Sequence, residues 1–353
     1  MDSQKRIELI ESVGEEIVTR QELETLVESG KKLSAYDGFE PSGLAHLPFA
    51  VYRAQNVKRM VEAKVEFILY LADYFAFVNN KMNADMGKIR ACGKYFCEVW
   101  KAAGIPMDKV KVVWASELMD SLDYWDTVLR VARNITLNRT RRAMLIAGRE
   151  ETEKLTTAQM YYPSMQVADI FMLGVDICQL GMDQRRANML AREVAEKLGK
   201  KKPVAVHHHM LLGLQGAKEG DGLVETKMSK SKPDSSIFVH DSAAEIERKI
   251  MSAYCPAKTA EDNPVLEYCS YVVFPSLGEI EVKRDRKYGG NVKFSSYQEL
   301  EKAYVSGKLH PLDLKKAVAS GVEELIAPIR RHFEREGKAR KLYLEVKEAE
   351  KTR

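Results

Sequence analysis

The chain has 353 residues, of which 45% are hydrophobic and 30% charged, a composition that predicts a globular protein with a large core and two domains. Its net charge is only +4, from 55 basic and 51 acidic residues, so any surface for nucleic acid must be a local patch. Five scattered cysteines without a CxxC pair argue against a disulfide framework and predict reduced thiols in the cytoplasm.

Strand and helix patterns alternate along the first two thirds of the chain. The N-terminal residues 1–18 are helical in period but acidic, so they do not resemble a targeting peptide. The predicted strands are 32–39, 65–73, 110–116, 172–179 and 202–209, and the predicted helices are 47–63, 85–103, 121–148 and 184–198. The longest apolar run, 67–78, contains Asp73 and is too short to span a membrane. This order predicts an α/β fold with a doubly wound parallel sheet and no membrane partner.

The strand signal fades beyond residue 240. Helical patterns cover 241–254, 296–309 and 311–336, with a glycine- and charge-rich irregular insert at 281–294. We therefore predict one domain over residues 1–235 and a second, helical domain over residues 236–353.

Two segments carry features of phosphate binding, although the chain has neither a P-loop nor a GxGxxG motif. After the first predicted strand comes GFEPSGLAHLPFA, in which Gly38 and Gly43 let a ligand approach the backbone and His46 lies near a helix start. The second segment is the lysine-rich KMSKS at 227–231. Alone, His46 is more often a packing histidine and such a loop is more often solvated. Together they predict a clamp on a triphosphate.

These two segments resemble the signature sequences of class I aminoacyl-tRNA synthetases. YDGFEPSG, YYPSMQVADI, GVDICQLGMDQRR, KMSKSKPDSS, AYCP and LHPLDLK are similar, in the same order, to segments of the archaeal and eukaryotic tyrosyl-tRNA synthetases. One departure is Phe49, which stands where the first signature usually has a second histidine. The resemblance implies a Rossmann-like catalytic domain with a C-terminal helical anticodon-binding domain. It also implies a cytoplasmic homodimer that uses ATP, L-tyrosine and the tRNA for tyrosine.

The resemblance assigns a tyrosine pocket. Tyr36 and Asp169 would bind the phenol hydroxyl of the substrate, while Tyr162, Gln166 and Gln184 would bind its ammonium group. Tyr162, Gln166 and Asp169 share one face if their segment is helical. Without the resemblance, the same pattern would be read as a helix with a few polar surface residues.

The expected first step joins the tyrosine carboxylate to the α-phosphate of ATP and releases pyrophosphate. The attacking carboxylate is already ionised, so positioning and charge stabilisation replace a protein base. His46, Lys227 and Lys230 are the implied catalytic residues. The implied ATP-binding residues are Gly38, Gly43, His46, Lys227, Met228, Ser229, Lys230 and Ser231. Mg²⁺ would arrive with ATP. We predict no resident metal, because the three consecutive histidines 207–209 would alternate in direction along a strand.

Residues 130–149 carry six arginines and no acidic residue, which favours a surface that faces phosphates. These are Arg130, Arg133, Arg139, Arg141, Arg142 and Arg149. By resemblance, the acceptor stem of tRNA is read by Arg142, Arg185, Arg186 and Met189, and the anticodon by Tyr288, His310 and Asp313. Asp313 would equally suit a carboxylate in the first turn of a helix.

Two other functions fit parts of the sequence. A tryptophanyl-tRNA synthetase shares the fold and both signatures, but Tyr36 with Asp169 favours a phenol over an indole. A synthetase-like RNA-binding protein without catalysis is disfavoured by the intact KMSKS segment and by the predicted tyrosine pocket.

Overall fold

The computed structural model describes residues 1–144, 155–216, 233–335 and 337–351. Its main sheet has six strands in the order β1-β6-β5-β2-β3-β4. The strands are β1 Glu16–Val18, β2 Leu33–Phe39, β3 Val65–Leu71, β4 Val110–Trp114, β5 Ile177–Gly181 and β6 Val204–His208. Strands β2 to β6 pair in parallel, and only β1 is antiparallel to its neighbour. The predicted doubly wound parallel sheet is therefore confirmed.

Side chains of the central strands alternate between two buried clusters, one on each face of the sheet. Ala35 of β2 and Phe67 of β3 belong to one cluster, and Tyr36 and Tyr70 belong to the other. The N-terminal helices are α1 Ser3–Glu11, α2 Arg20–Glu28, α3 Arg53–Glu62, α4 Asp73–Val78, α5 Met86–Ala102, α6 Ala115–Met119, α7 Leu122–Arg133, α8 Leu137–Met144, α9 Thr157–Leu173 and α10 Arg185–Ala195. Helices α3 and α5 contribute to the first cluster, and α7, α9 and α10 to the second.

Three predictions for this region need correction. The strand predicted at 172–179 begins only at Ile177, because α9 continues to Leu173 and ends at Gly174, whose φ of 63° favours glycine. The helix predicted over 121–148 is two helices, because Thr136 starts a new one by accepting a hydrogen bond from the Arg139 N–H at 3.2 Å. The helical pattern of residues 1–18 is wrong at its end, because α1 stops at Glu11 and residues 16–18 form strand β1, which is too short to give a pattern of its own.

The C-terminal region is mainly helical, as predicted. Its helices are α11 Ala243–Ser252, α12 Pro264–Tyr268, α13 Phe274–Leu277, α14 Tyr297–Val305, α15 Pro311–Glu334 and α16 Lys338–Lys351. The insert predicted as irregular holds a two-stranded antiparallel ribbon of β7 Ile280–Val282 and β8 Val292–Phe294. Helix α16, which was not predicted, packs along α5. Among the described residues, we find no helix with the length and apolar character needed to cross a bilayer.

Candidate active site

A cleft of about 640 Å³ lies at the carboxyl ends of β2 and β5. The chain passes from β2 to β3 and β4 on one side, then returns to β5 on the other side of β2. Such a reversal of strand order leaves a crevice at the sheet edge, where ligands of α/β proteins bind. The cleft is lined by Tyr36 and Gly38 of β2, by Tyr162, Gln166 and Asp169 of α9, and by His46 and Gln184.

The deep end of the cleft is a buried cluster of hydroxyl and carboxyl groups. The Tyr124 hydroxyl donates a hydrogen bond of 2.9 Å to Asp169, and Tyr36 and Tyr70 meet edge to face with ring centroids 6.2 Å apart. Burial raises the pKa of Asp169 well above its ordinary range, although the nearby Tyr70 and Tyr124 hydroxyls oppose the increase. The Tyr36 hydroxyl is buried and has no hydrogen-bond partner in the described part of the chain. A ligand hydroxyl placed here would meet an unused polar group.

Helix α9 forms one wall of the cleft. It begins with a capping box, in which Thr156 accepts from the Gln159 N–H and Gln159 accepts from the Thr156 N–H. One turn later Tyr162 and Gln166 reach the cleft, and Asp169 lies deeper on the same face. The structure thus brings together the five residues predicted for the tyrosine pocket.

Two contacts fix the polar groups of this wall. The Gln166 amide donates a hydrogen bond of 3.0 Å to Gln184, and the Tyr162 hydroxyl donates one of 2.6 Å to Glu40. The Asn79 amide also donates to Glu40, at 2.7 Å. Glu40 follows β2 directly, so its carboxylate adds negative charge at the mouth of the pocket.

The segment around His46 runs beside residues 237–239, which follow the KMSKS segment in sequence. His46 and Phe238 form an isolated antiparallel bridge, the Leu47 N–H donates to the Ile237 carbonyl at 2.8 Å, and the Val239 N–H donates to the Ala45 carbonyl at 3.1 Å. His46 and Gly38 line the cleft. The predicted residues Lys227, Met228, Ser229, Lys230 and Ser231 lie outside the described residues.

Gly43 has a φ of 130°, and a Cβ there would lie 2.0 Å from a Glu350 carboxylate oxygen. The positive φ favours glycine at this position, and the nearest side chain is that of Glu350 of α16. The role predicted for Gly43 in ATP binding stays a prediction.

Phe49 stands where the signature usually has its second histidine, and its ring packs among other aromatic side chains. It is buried, stacks on Trp100 with ring centroids 5.4 Å apart, and lies 4.3 Å from Phe96 by the same measure. A ring in this position stabilises the segment through apolar contact and contributes no donor to a phosphate.

A buried polar network lies beneath the cleft. Arg53 of α3 donates a 2.6 Å hydrogen bond from Nε to Asp37 and also contacts His208, whose Nδ1 lies 2.9 Å from the Gln179 amide. Burial raises the pKa of Asp37 to about 7 against the opposing effect of Arg53, and burial lowers the pKa of His208 well below its ordinary range.

The three consecutive histidines have separate partners. His207 contacts Glu16 at 2.8 Å, His208 belongs to the Arg53 network, and His209 contacts Glu267 at 3.3 Å. Within the described ranges, no group of three or more histidine, cysteine or acidic side chains has the geometry to hold a metal ion.

Known proteins resemble this chain over nearly its whole length. The family model for class I tRNA synthetases of tryptophan and tyrosine matches residues 28–327. The tyrosine--tRNA ligase of Saccharolobus islandicus is 45% identical over 95% of this chain and 95% of its own length. This chain belongs to the tyrosyl-tRNA synthetase family. The cytoplasmic tyrosine--tRNA ligase 1 of Arabidopsis thaliana is 44% identical over 99% of this chain and 90% of its own length.

Solved structures agree with that membership. A tyrosyl-tRNA synthetase from Aeropyrum pernix superposes with a TM-score of 0.89 at 42% identity, covering 99% of this chain and 100% of that one. A tyrosyl-tRNA synthetase from Pyrococcus horikoshii, complexed with L-tyrosine, superposes with a TM-score of 0.90 at 39% identity. The match covers 98% of this chain and 100% of that one. A tryptophanyl-tRNA synthetase from Aeropyrum pernix superposes with a TM-score of only 0.67 at 16% identity, covering 94% of this chain and 84% of that one. This match shows a shared fold alone.

The residues predicted for the acceptor stem lie on α8 and α10, which pack together. Arg186 and Arg142 meet directly, because the Arg186 guanidinium donates to the Arg142 carbonyl at 2.8 Å. Arg185 points elsewhere, since its Nε donates to both carboxylate oxygens of Glu16, at 2.8 and 2.9 Å. Met189 is half-buried on α10. Arg149 lies outside the described residues.

The residues predicted for the anticodon lie at the start of α15 and in the loop between β7 and β8. His310 caps α15 by accepting the Leu312 N–H at 3.2 Å, and Asp313 lies in the first turn. Tyr288 is 64% exposed. Arg284 connects the two parts, because it donates to Gly290 at 2.8 Å and to Lys308 at 2.9 Å.

Sequence reasoning missed several residues in the cleft and next to it. Glu40 lies in the segment GFEPSGLAHLPFA, directly after the first predicted strand, and this position could have indicated a cleft residue. Tyr70 and Tyr124 gave no such signal, because their roles depend on a carboxylate far along the chain. Arg53 gave no signal either, and the contact of Glu350 with Leu44 joins residues that are 306 positions apart.

Proposed function

We propose that this chain is a tyrosine--tRNA ligase. It activates L-tyrosine with ATP to tyrosyl-adenylate, releases pyrophosphate, and then transfers the tyrosyl group to the 3′ end of the tRNA for tyrosine. The observation that carries the proposal is the buried pair of Tyr36 and Asp169 at the closed end of the cleft, in a member of the tyrosyl-tRNA synthetase family.

Tyr36 and Asp169 would bind the phenol hydroxyl of the substrate. The Asp169 side chain accepts a hydrogen bond from the phenol hydroxyl, and the Tyr36 hydroxyl, which otherwise has no partner in the described chain, donates one to the phenol oxygen. Phenylalanine would leave the Tyr36 hydroxyl buried without a partner and would offer Asp169 no hydrogen bond beyond the one from Tyr124, which is costly. Rejection of phenylalanine by about 10⁵ without editing is established for tyrosyl-tRNA synthetases.

The other end of the substrate would lie among Tyr162, Gln166 and Gln184. The hydrogen bond between the two glutamines fixes their amide groups, and Glu40 holds the Tyr162 hydroxyl. Oxygen atoms and negative charge in this arrangement suit an ammonium group. The substrate carboxylate then faces the part of the cleft lined by Gly38 and His46.

ATP would bind between the His46 segment and the KMSKS segment. His46 meets the phosphates from one side, while Lys227 and Lys230 neutralise the charge that develops on the departing pyrophosphate. Met228, Ser229 and Ser231 complete this segment and the serines add hydrogen bonds. Mg²⁺ enters as part of the ATP substrate, because it retains most of its water and phosphate ligands.

The tRNA would bind at two sites. Arg142, Arg186 and Met189 face the acceptor stem, and Arg185 joins them if it exchanges Glu16 for a phosphate. Tyr288 stacks on the first anticodon base, which His310 and Asp313 contact from α15. The two-domain division at residue 235 follows from this separation of tasks.

The working enzyme would be a cytoplasmic homodimer. Helix α7 presents an apolar stripe at successive spacings of three and four residues, with Leu122 84%, Trp125 41% and Leu129 59% exposed. Such a stripe on a charged surface suits contact with a second copy. A Leu129→Asp variant should then sediment as a monomer, while the wild type sediments as a dimer. The location is proposed because the Arabidopsis relative is described as cytoplasmic.

Charging of tRNA tests the proposed function. The purified protein, ATP, Mg²⁺, labelled tyrosine and total tRNA should give acid-precipitable label. Labelled tryptophan in its place should give none. Binding of tRNA without charging would favour the RNA-binding function and would overturn the ligase proposal.

A further inference from the structure

The last helix of the described chain touches the first nucleotide signature from behind. Glu350 of α16 accepts a hydrogen bond of 2.6 Å from the Leu44 N–H, although 306 residues separate them. The same carboxylate lies against Gly43, where a side chain would collide with it. Ser42 and His46 line the cleft, whereas Gly43 and Leu44 are not among its lining residues, so Glu350 holds the side of the turn away from the ligand.

Other groups hold the same turn. The Gly43 N–H donates to the Cys92 thiol sulfur at 3.3 Å, and the Ala45 N–H donates to the Tyr95 hydroxyl at 3.2 Å. Cys92 and Tyr95 belong to α5, so two consecutive turns of that helix and Glu350 together satisfy three successive backbone donors. A buried donor that loses its partner is costly, so each contact restrains the turn.

The packing of helix α16 places Glu350 next to the Gly43–Leu44 turn. Leu342, Val346 and Ala349 are buried at spacings of four and three residues, and the helix packs along α5. Tyr343 stacks on His240 with ring centroids 3.8 Å apart, and His240 in turn lies 2.8 Å from the Tyr95 hydroxyl. These contacts therefore connect α16, through His240 and Tyr95, to the turn that Tyr95 contacts at Ala45.

We infer that Glu350 is a positioning residue for nucleotide binding, acting through the Gly43–Leu44 turn on His46. The inference rests on the proposed function, since it assigns Glu350 to the ATP half of that reaction. Helix α16 then supports the active site, although in sequence it follows the helices predicted to read the anticodon.

The test compares Glu350→Ala with Glu350→Gln, which keeps an oxygen acceptor for the Leu44 N–H. Loss of one charge-assisted hydrogen bond predicts that the Ala variant raises the KM for ATP in pyrophosphate exchange about 10-fold. The KM and the equilibrium affinity for tyrosine should not change, because the tyrosine pocket lies on other elements. The Gln variant should restore most of the ATP affinity. Glu345→Ala, which changes an exposed carboxylate on the same helix, should behave as wild type.

Amide hydrogen exchange gives a readout that does not depend on catalysis. The peptide that contains Leu44 should exchange faster in Glu350→Ala than in wild type or Glu350→Gln, while peptides of α9 stay protected. Unchanged exchange at Leu44 with unchanged ATP kinetics would overturn the inference. Equal losses of tyrosine and ATP binding would also overturn it, because they would indicate general destabilisation. Absence of tyrosine-dependent activity in the wild type would instead refute the proposed function.

Discussion

His46 and Phe238 form a backbone bridge that joins the two signature regions of the chain. Hydrogen bonds on both sides of the bridge fix residues 237–239 beside the segment that carries His46. Ser231 precedes Ile237 by six residues in the sequence, and six residues span at most about 20 Å, so the chain length permits the proposed approach of the KMSKS segment to His46. Two segments far apart in sequence can therefore act on one triphosphate.

The first prediction concerns Lys230. If it neutralises the departing pyrophosphate, Lys230→Ala should slow formation of tyrosyl-adenylate by roughly 10²–10³, equivalent to about 2.7–4 kcal/mol of transition-state stabilisation. Tyrosine affinity should barely change. Rapid-quench measurement of adenylate formation tests this, with Lys218→Ala as a control lysine upstream of the motif. An unchanged rate in Lys230→Ala would favour the alternative interpretation, in which KMSKS is only a solvated loop.

The second prediction concerns Asp169. Asp169→Ala removes the acceptor for the phenol, so kcat/KM for tyrosine should fall roughly 10- to 100-fold while that for phenylalanine falls less. Pyrophosphate exchange at varied amino-acid concentration measures both, and the KM for ATP should be unaffected.

Tyr124→Phe serves as the matched variant for Asp169→Ala. It keeps the carboxylate but removes the donor that lies 2.9 Å from it, so a smaller loss of tyrosine preference is expected. If Asp169→Ala discriminates between tyrosine and phenylalanine as well as wild type does, Asp169 is not the partner of the phenol.

The third prediction separates the two proposed tRNA sites. Asp313→Ala should leave pyrophosphate exchange intact and reduce charging of tRNA roughly 10- to 100-fold, as expected for a lost base contact of about 1–3 kcal/mol. The variant should also become insensitive to a change of the first anticodon base.

Arg142→Ala provides the contrast, since it should respond to changes in the acceptor stem and not in the anticodon. Asp313 also lies in the first turn of α15, where a carboxylate stabilises the helix. Parallel losses of exchange and charging in Asp313→Ala would assign it to that structural role alone.

The fourth prediction concerns stability at low pH. Burial of Glu22 opposes its ionisation, but hydrogen bonds from Lys202 and Arg192 prevail and lower its pKa to about 2. A lowered carboxylate pKa stabilises the fold above the unfolded value near 4.5, and this contribution is lost as the pH falls towards 2. Glu22→Gln should therefore be less stable than wild type at pH 7, by about 1–2 kcal/mol after allowance for solvent screening. Urea titrations from pH 7 to 3 should show the difference shrinking, and a constant difference would contradict the assignment.

The sheet could be predicted from sequence because its parallel strands are buried on both faces and read as apolar runs. Errors occurred where local signals were short. Strand β1 has only three residues, and the break between α7 and α8 depends on the capping role of Thr136. The ribbon of β7 and β8 was hidden by charged residues, since its outer positions are exposed.

The tyrosine pocket was predictable only through the resemblance to a family. Tyr36 and Asp169 lie on different elements, and no periodicity in the sequence relates a strand residue to a helix residue far along the chain. Contacts such as Tyr124 with Asp169 and Leu44 with Glu350 arise only when those elements pack. Gly43 illustrates the limit, because its close approach to the Glu350 carboxylate has no signal in the sequence.

Amino-acid-dependent exchange of labelled pyrophosphate into ATP tests the central claim most directly. With the wild-type protein and Mg²⁺, tyrosine should support exchange, while tryptophan and phenylalanine at equal concentration should support almost none. Exchange that responds to tryptophan, or no exchange with any of the three, would contradict the assignment of Tyr36 and Asp169 to a tyrosine pocket.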